Sequence, residues 1–207
     1  MIIAAQRALI FDFGGVLMKT VDYAPRHAWD AQLGLSPGSV ERVVHGSESW
    51  RLAQCGQLST ADYWQDVAQQ LGLSQAQVEQ LAVDFYSGDQ LDMALIDYLR
   101  QVRRMSHPVA LLSNDVAELT EKLRRNGIHD LFNPLVISAQ IGVMKPAPGA
   151  YHAVLKALHL PAEAAIFVDD RLDNVEGARQ VGMQAIHYTP DVALIPLLDA
   201  FMSGSNR

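Results

Sequence analysis

Between residues 91 and 188 short apolar runs alternate with helical patterns, and no other feature limits the fold so tightly. The pattern "LDMALIDYLRQVRR" leads into "PVALLS", "DVAELTEKLRRNG" into "PLVIS", "APGAYHAVLKALHL" into "AAIFVDD", and "NVEGARQVG" into "MQAIHY". Such alternation specifies βαβ units, hence a parallel sheet with helices on both faces. One further run, "ALIF" at 8–11, is cut off from the others by residues 22–90, which offer no strand candidate. That block reads as helices, among them "STADYWQDVAQQLGLS" and "SQAQVEQLAVDFYSG". Ser59 and Ser74 are placed as N-caps, and Gly72 and Gly88 as helix ends. The expected fold class is α/β: a three-layer parallel-sheet core from residues 1–16 and 91–207, with a small all-helical cap of residues 17–90 inserted after the first strand.

Composition removes several classes of function. A net charge of −7, spread along the chain, argues against nucleic acid and anionic membranes as partners. No stretch has the roughly 18 uninterrupted apolar residues that a membrane span requires. Cys55 is the only cysteine, so no intrachain disulfide can form and a reducing compartment is expected. The N-terminal "MIIAAQR" places its first positive charge after its apolar residues, the reverse of a signal peptide. The expected location is cytoplasmic.

In an open parallel sheet, ligands bind beyond the carboxyl ends of the strands. The polar residues at those ends are Asp12 after "ALIF", Ser113 and Asn114 after "VALL", and Asp169 and Asp170 after "AIFV". Lys145 follows seven residues after Ser138, which ends "LVIS". Three carboxylates converging on one sheet edge repel, and a divalent cation is the common remedy; Mg²⁺ takes one or two carboxylates and completes its shell with water and phosphate oxygens. Ser113 and Asn114 offer hydrogen bonds, Lys145 a positive charge, and an aspartate is a competent nucleophile. Plainer readings exist for each part. Ser113, Asn114 and Asp115 can cap the following helix, Asp169 and Asp170 can sit at a helix's positive end, Arg171 can pair with either of them, and Gly14–Gly15 can be only a sharp turn.

The segments "FDFGGVL", "LLSN", "SAQIGVMKPAPGAY" and "IFVDDRLDNVEGARQVGM" resemble, in order and spacing, the four motifs of the haloacid dehalogenase-like (HAD-like) hydrolases. The resemblance covers nearly the whole chain and implies a Rossmann-like core with a helical cap. It implies a phosphatase whose nucleophile is Asp12, with Ser113 and Lys145 completing the catalytic set. Gly15, Ser113, Asn114 and Lys145 would surround the phosphate, and Asp12, Gly14 (through its carbonyl), Asp169 and Asp170 would hold Mg²⁺. The implied substrate is a small phosphorylated metabolite, such as a sugar phosphate. The sequence departs from the pattern at Gly14, where phosphatases of this superfamily carry a second aspartate as general acid and base. Such catalysis contributes about 10²–10⁴-fold. Two alternatives follow: a binding or regulatory protein with little turnover, and a metal-free 2-haloacid dehalogenase, against which the retained Asp169–Asp170 pair counts.

The seven histidines show no metal-ligand spacing, and Trp29, Trp50 and Trp64 read as cap core. The segment "GSESWRLAQCGQLS", with Arg51 and Gln54, is the expected specificity element.

Overall fold

Strand β1 (Ala8–Phe11) is buried at every position, as a strand covered on both faces must be. The structure, a computed structural model, describes residues 6–204. Met1–Ala5, which carry most of the segment read against a signal peptide, and Ser205–Arg207 lie outside the described residues. After β1 come β2 (Met18–Thr20) and five helices: α1 (Ala24–Gln32), α2 (Ser39–Gly46), α3 (Glu48–Gln54), α4 (Thr60–Leu71) and α5 (Gln75–Phe85). The chain then runs through β3 (Asp89–Leu91), α6 (Met93–Arg104), β4 (Val109–Ser113), α7 (Leu119–Arg125), β5 (Leu135–Ile137) and α8 (Ser138–Ile141). It ends with α9 (Pro148–Leu158), β6 (Ala165–Asp169), α10 (Leu172–Gln180), β7 (Gln184–His187) and α11 (Leu194–Ser203).

Five strands form one parallel sheet in the order β5-β4-β1-β6-β7. The strand order reverses between β1 and β6, which opens a crevice at their carboxyl ends. Alternation along β1 feeds two cores. Leu9 and Phe11 pack with α6, α7 and α11 through Leu99, Leu123 and Phe201, while Ile10 faces α9 and α10 through Tyr151 and Ala178. The helical insert has its own core, centred on Trp29, Tyr63, Leu81 and Phe85. Ser59 and Ser74 cap α4 and α5 by accepting the N–H groups of Asp62 and Gln77, and Gly72 ends α4 in the left-handed region.

Three expectations change. Residues 18–20 and 89–91 pair as a two-stranded antiparallel stem beneath the insert, with Thr20 donating to Asp89 at 2.7 Å. Gly88 does not end a helix: α5 stops at Phe85, and a Cβ at Gly88 would collide with the carbonyl of Asp22, so the glycine lets the stem close. The helix expected from Asp115 begins at Leu119, because the carbonyl of Asp115 first accepts from Ala139 N–H and the Ser138 hydroxyl, tying the chain to the end of β5. Helix α11 had no counterpart in the sequence reading; its Pro196 lies in the first turn, where the missing N–H costs nothing. No helix among the described residues is long and apolar enough to cross a membrane.

Candidate active site

Asp12 leaves the end of β1 with its Oδ1 accepting the N–H of Phe13 at 2.7 Å. On the other side of the switch point, Asp169 ends β6 and Asp170 follows it. Carboxylate oxygens of all three lie within 4.8 Å of one another. Lys145, 3% exposed, comes between two of them: its Nζ is 2.9 Å from Asp12 Oδ1 and 2.7 Å from Asp169 Oδ2. The lysine is placed through its main chain. Its N–H donates to Asn114 Oδ1 and its carbonyl accepts from Asn114 Nδ2, both at 2.8 Å. Asn114 thus ties the loop after β4 to the loop carrying Lys145.

The two aspartates of the pair have different surroundings. Asp169 is fully buried and accepts from Lys145, from Arg171 N–H at 2.8 Å and from Asn174 Nδ2 at 3.0 Å. Asp170 is exposed toward the crevice, and its carbonyl bonds His187 Nε2 at 3.0 Å. The guanidinium of Arg171 pairs with Asp173 at 2.9 Å and bonds neither carboxylate of the pair. Ser113 is 2% exposed, and its hydroxyl has no partner among the described residues. Asn174 is the positioning residue that sequence reasoning missed. Its only signal was its place in the first turn of the helix after the aspartate pair.

One lysine against three carboxylates leaves two negative charges uncompensated in a partly buried site. Burial, reinforced by the charge of Asp169, lifts Asp12 well above the ordinary carboxylate range, with Lys145 opposing. Asp170 is raised as well, by burial first and then by Asp169. A hard divalent cation fits this donor set, because it favours the ionised form of all three groups. The Gly14 carbonyl accepts no hydrogen bond among the described residues and remains free for such an ion.

The two glycines contribute differently. The Gly15 N–H donates to Met18 O at 2.9 Å, its φ is +75°, and a Cβ there would collide with the Asp170 carboxylate. A Cβ on Gly14 meets nothing within 4 Å. Gly15→Ala should therefore cost about 1–2 kcal/mol in backbone strain and displace Asp170. Calorimetric titration should show weakened Mg²⁺ binding for Gly15→Ala and parent-like binding for Gly14→Ala; equal effects would remove the steric role given to Gly15.

The insert reaches the site through α3. Gln54 Nε2 donates to Asn114 O at 2.7 Å, so Gln54 docks the insert onto the loop after β4, while Arg51 is exposed and engaged with Glu48 at 2.8 Å. Gly56 allows the same approach, since a Cβ there would strike the carbonyl of Ala139.

Among curated proteins the chain is similar to the sesquiterpene phosphatase astK of Aspergillus oryzae, at 29% identity over 90% of this chain and 92% of that one. It is also similar to the D-ribitol-5-phosphate phosphatase of Bacteroides thetaiotaomicron, at 26% identity over 85% and 88%. A HAD-family enzyme of Bacteroides thetaiotaomicron, solved in complex with magnesium and inorganic phosphate, superposes with a TM-score of 0.78 over 93% of this chain and 98% of that one; at 19% identity this likeness speaks for the fold. The family model for haloacid dehalogenase-like hydrolases matches residues 6–182, which takes in every strand of the sheet but β7 and all the strand-end residues described above, and the chain belongs to that family of hydrolases.

Proposed function

We propose that the protein is a cytoplasmic, Mg²⁺-dependent phosphomonoesterase, with residues 17–90 as a cap over a core of residues 1–16 and 91–207. The reading rests above all on one observation: Lys145 is buried between the carboxylates of Asp12 and Asp169, which cluster with the exposed Asp170. Mg²⁺ held by Asp12, Asp170 and the Gly14 carbonyl, with Asp169 behind them, would supply positive charge to the phosphoryl oxygens. Ser113 donates its hydroxyl to a phosphoryl oxygen, and Lys145 stabilises the charge that builds there. Gly15 leaves room for the phosphate, and Asn114 holds Lys145 in place. Asp12 attacks phosphorus, the ester oxygen leaves, and the resulting aspartyl-phosphate is opened by water.

The substrate is a small phosphorylated metabolite. The names of the two curated relatives support this class, one a D-ribitol-5-phosphate phosphatase and the other a sesquiterpene phosphatase. The test is a panel of sugar, aryl, alkyl and isoprenyl phosphates assayed with Mg²⁺ and with a chelator, with 2-chloropropionate alongside. Phosphate release that requires Mg²⁺ is the expected result. Halide release without metal would make the protein a dehalogenase, and ester binding without turnover would make it a binding protein.

A further inference from the structure

The phosphatase reading leaves a proton to be placed, because Gly14 brings no side chain to the leaving group. We propose that Asp115 is the catalytic proton donor and acceptor of this enzyme, acting from the loop after β4 in place of the side chain absent at Gly14.

Asp115 stands two residues beyond Ser113, at the edge of the sheet where the phosphate is bound. Its backbone is clamped: its N–H donates to Ser138 Oγ at 3.0 Å and its carbonyl accepts from Ala139 N–H at 3.3 Å. The next residue, Val116, packs against the insert's hydrophobic core. The carboxyl of Asp115 stands between charges of the core, Lys145 among them, and Tyr63 and Tyr86 of the insert, at the seam where a leaving group held between core and insert would meet it.

The carboxyl is also uncommitted. Asp115 is half-buried, and the buried carboxylates among the described residues are all taken: Asp12 is bonded by Phe13 N–H and Lys145, Asp30 accepts the N–H groups of Gly38 and Val40, and Asp169 is bonded by Lys145 and Asn174. Asp115 accepts only the N–H of Val116 on Oδ1, at 2.8 Å, and makes no ion pair. The charged and titratable groups around it are Glu118 and Lys122 at and within α7, Lys145, and Tyr63 and Tyr86 of the insert. None of them is bonded to its carboxylate. Lys122 stands over the rings of Phe13 and Tyr86 with Nζ 3.9 Å from Asp89, Lys145 is held between Asp12 and Asp169, Tyr63 donates to Val44 O, and the Tyr86 hydroxyl bonds His45. Burial pushes Asp115 up to about 6, so the group exchanges a proton near neutrality. His45, beside Tyr86, is pushed down to about 4 by burial and the charges of Arg26 and Lys122, and holds no proton to give at that pH.

The step balances. As Asp12 Oδ forms its bond to phosphorus and the ester P–O bond breaks, the departing oxygen takes the Asp115 proton. Asp115 then accepts a proton from the water that attacks phosphorus and breaks the Asp12–phosphorus bond. Inorganic phosphate leaves, and both side chains return to their starting state.

The inference rests on the phosphatase reading, and one experiment separates the two. Parent and Asp115→Asn are compared by kcat/KM, with Mg²⁺, over phosphate esters graded by leaving-group pKa. Asparagine keeps the acceptor for Val116 N–H. Alkyl esters should lose about 10²–10⁴-fold in the variant, and 4-nitrophenyl phosphate, whose leaving group departs unprotonated, far less. With alkyl esters the parent rate should fall as pH climbs through the Asp115 pKa, and that limb should vanish in the variant. Gly14→Asp in the Asp115→Asn background should regain rate on alkyl esters, since a side chain at Gly14 meets no obstacle. An equal loss across the series, or no loss, overturns the role of Asp115 alone. A parent inert toward every ester overturns the phosphatase reading together with it.

Discussion

Asp12→Asn should reduce phosphate-ester turnover by about 10⁴–10⁶-fold, the scale on which removal of a nucleophile acts, while the protein stays folded. The amide has nearly the shape of the carboxylate and keeps an oxygen for Phe13 N–H and Lys145, so the neighbouring contacts persist. The effect of pH on stability gives a second readout, with metal removed. Burial raises Asp12 above its ordinary value, so the folded protein binds that proton more tightly than the unfolded chain does. The parent therefore gives up stability as pH climbs from the ordinary carboxylate value to the raised one, and the variant does not. Thermal melts across that range should show the variant gaining on the parent as pH increases. Turnover near the parent rate would move the nucleophile to another residue.

Lys145→Ala should be the most damaging change to the fold of the site. Its ammonium is the only cation paired with Asp12 and Asp169 among the described residues, and its side chain is wholly buried. Removing one partner of a buried ion pair strands the other, at a cost of about 3–5 kcal/mol. For a chain of this size that corresponds to roughly 6–20 °C in Tm. Asp12, already raised by burial, loses the lysine charge that opposes the rise, so the deficit should be largest above its pKa and shrink as pH falls through it. Mg²⁺ should raise the Tm of this variant more than that of the parent. A melt unchanged from the parent would mean that the lysine is a bystander. Turnover should fall with it, because the charge on the transferring phosphoryl group loses its side-chain counterion.

The parts of the molecule legible in the sequence are those where burial leaves no choice. Strands covered on both faces must be continuous apolar runs, so the polar residue ending each run was visible, and Asp12, Ser113 and Asp169 were located by that rule alone. The stem strands Met18–Thr20 and Asp89–Leu91 are three residues long and mostly half-exposed, and nothing in three such residues separates a strand from a loop. The insert was legible as helices, but its docking was not. Gln54 bonds a main-chain carbonyl and Gly56 makes room for another, and neither contact leaves a periodic trace. Asp115 was hidden for a different reason. An aspartate before a helical pattern reads as a cap, and only the late start of α7 at Leu119 reveals that its carboxyl caps nothing there.

The central place of β1 in the sheet has a consequence for how the molecule is made. Leu9 lies beside Val109 on one side and Ile166 on the other, so the first strand synthesised cannot be flanked until the sixth has been translated. Until then "ALIF" waits as an apolar edge, while the five helices that follow it can gather around their own core of Trp29, Tyr63 and Phe85. Pairings this distant in sequence make folding slow and leave the nascent chain open to aggregation. Asp12 is translated before the whole insert, yet it meets Lys145 and Asp169 only after the chain between them has been made. A chain broken off before β6 therefore carries Asp12 without Asp169 and Asp170, and the acidic cluster has no partially built form.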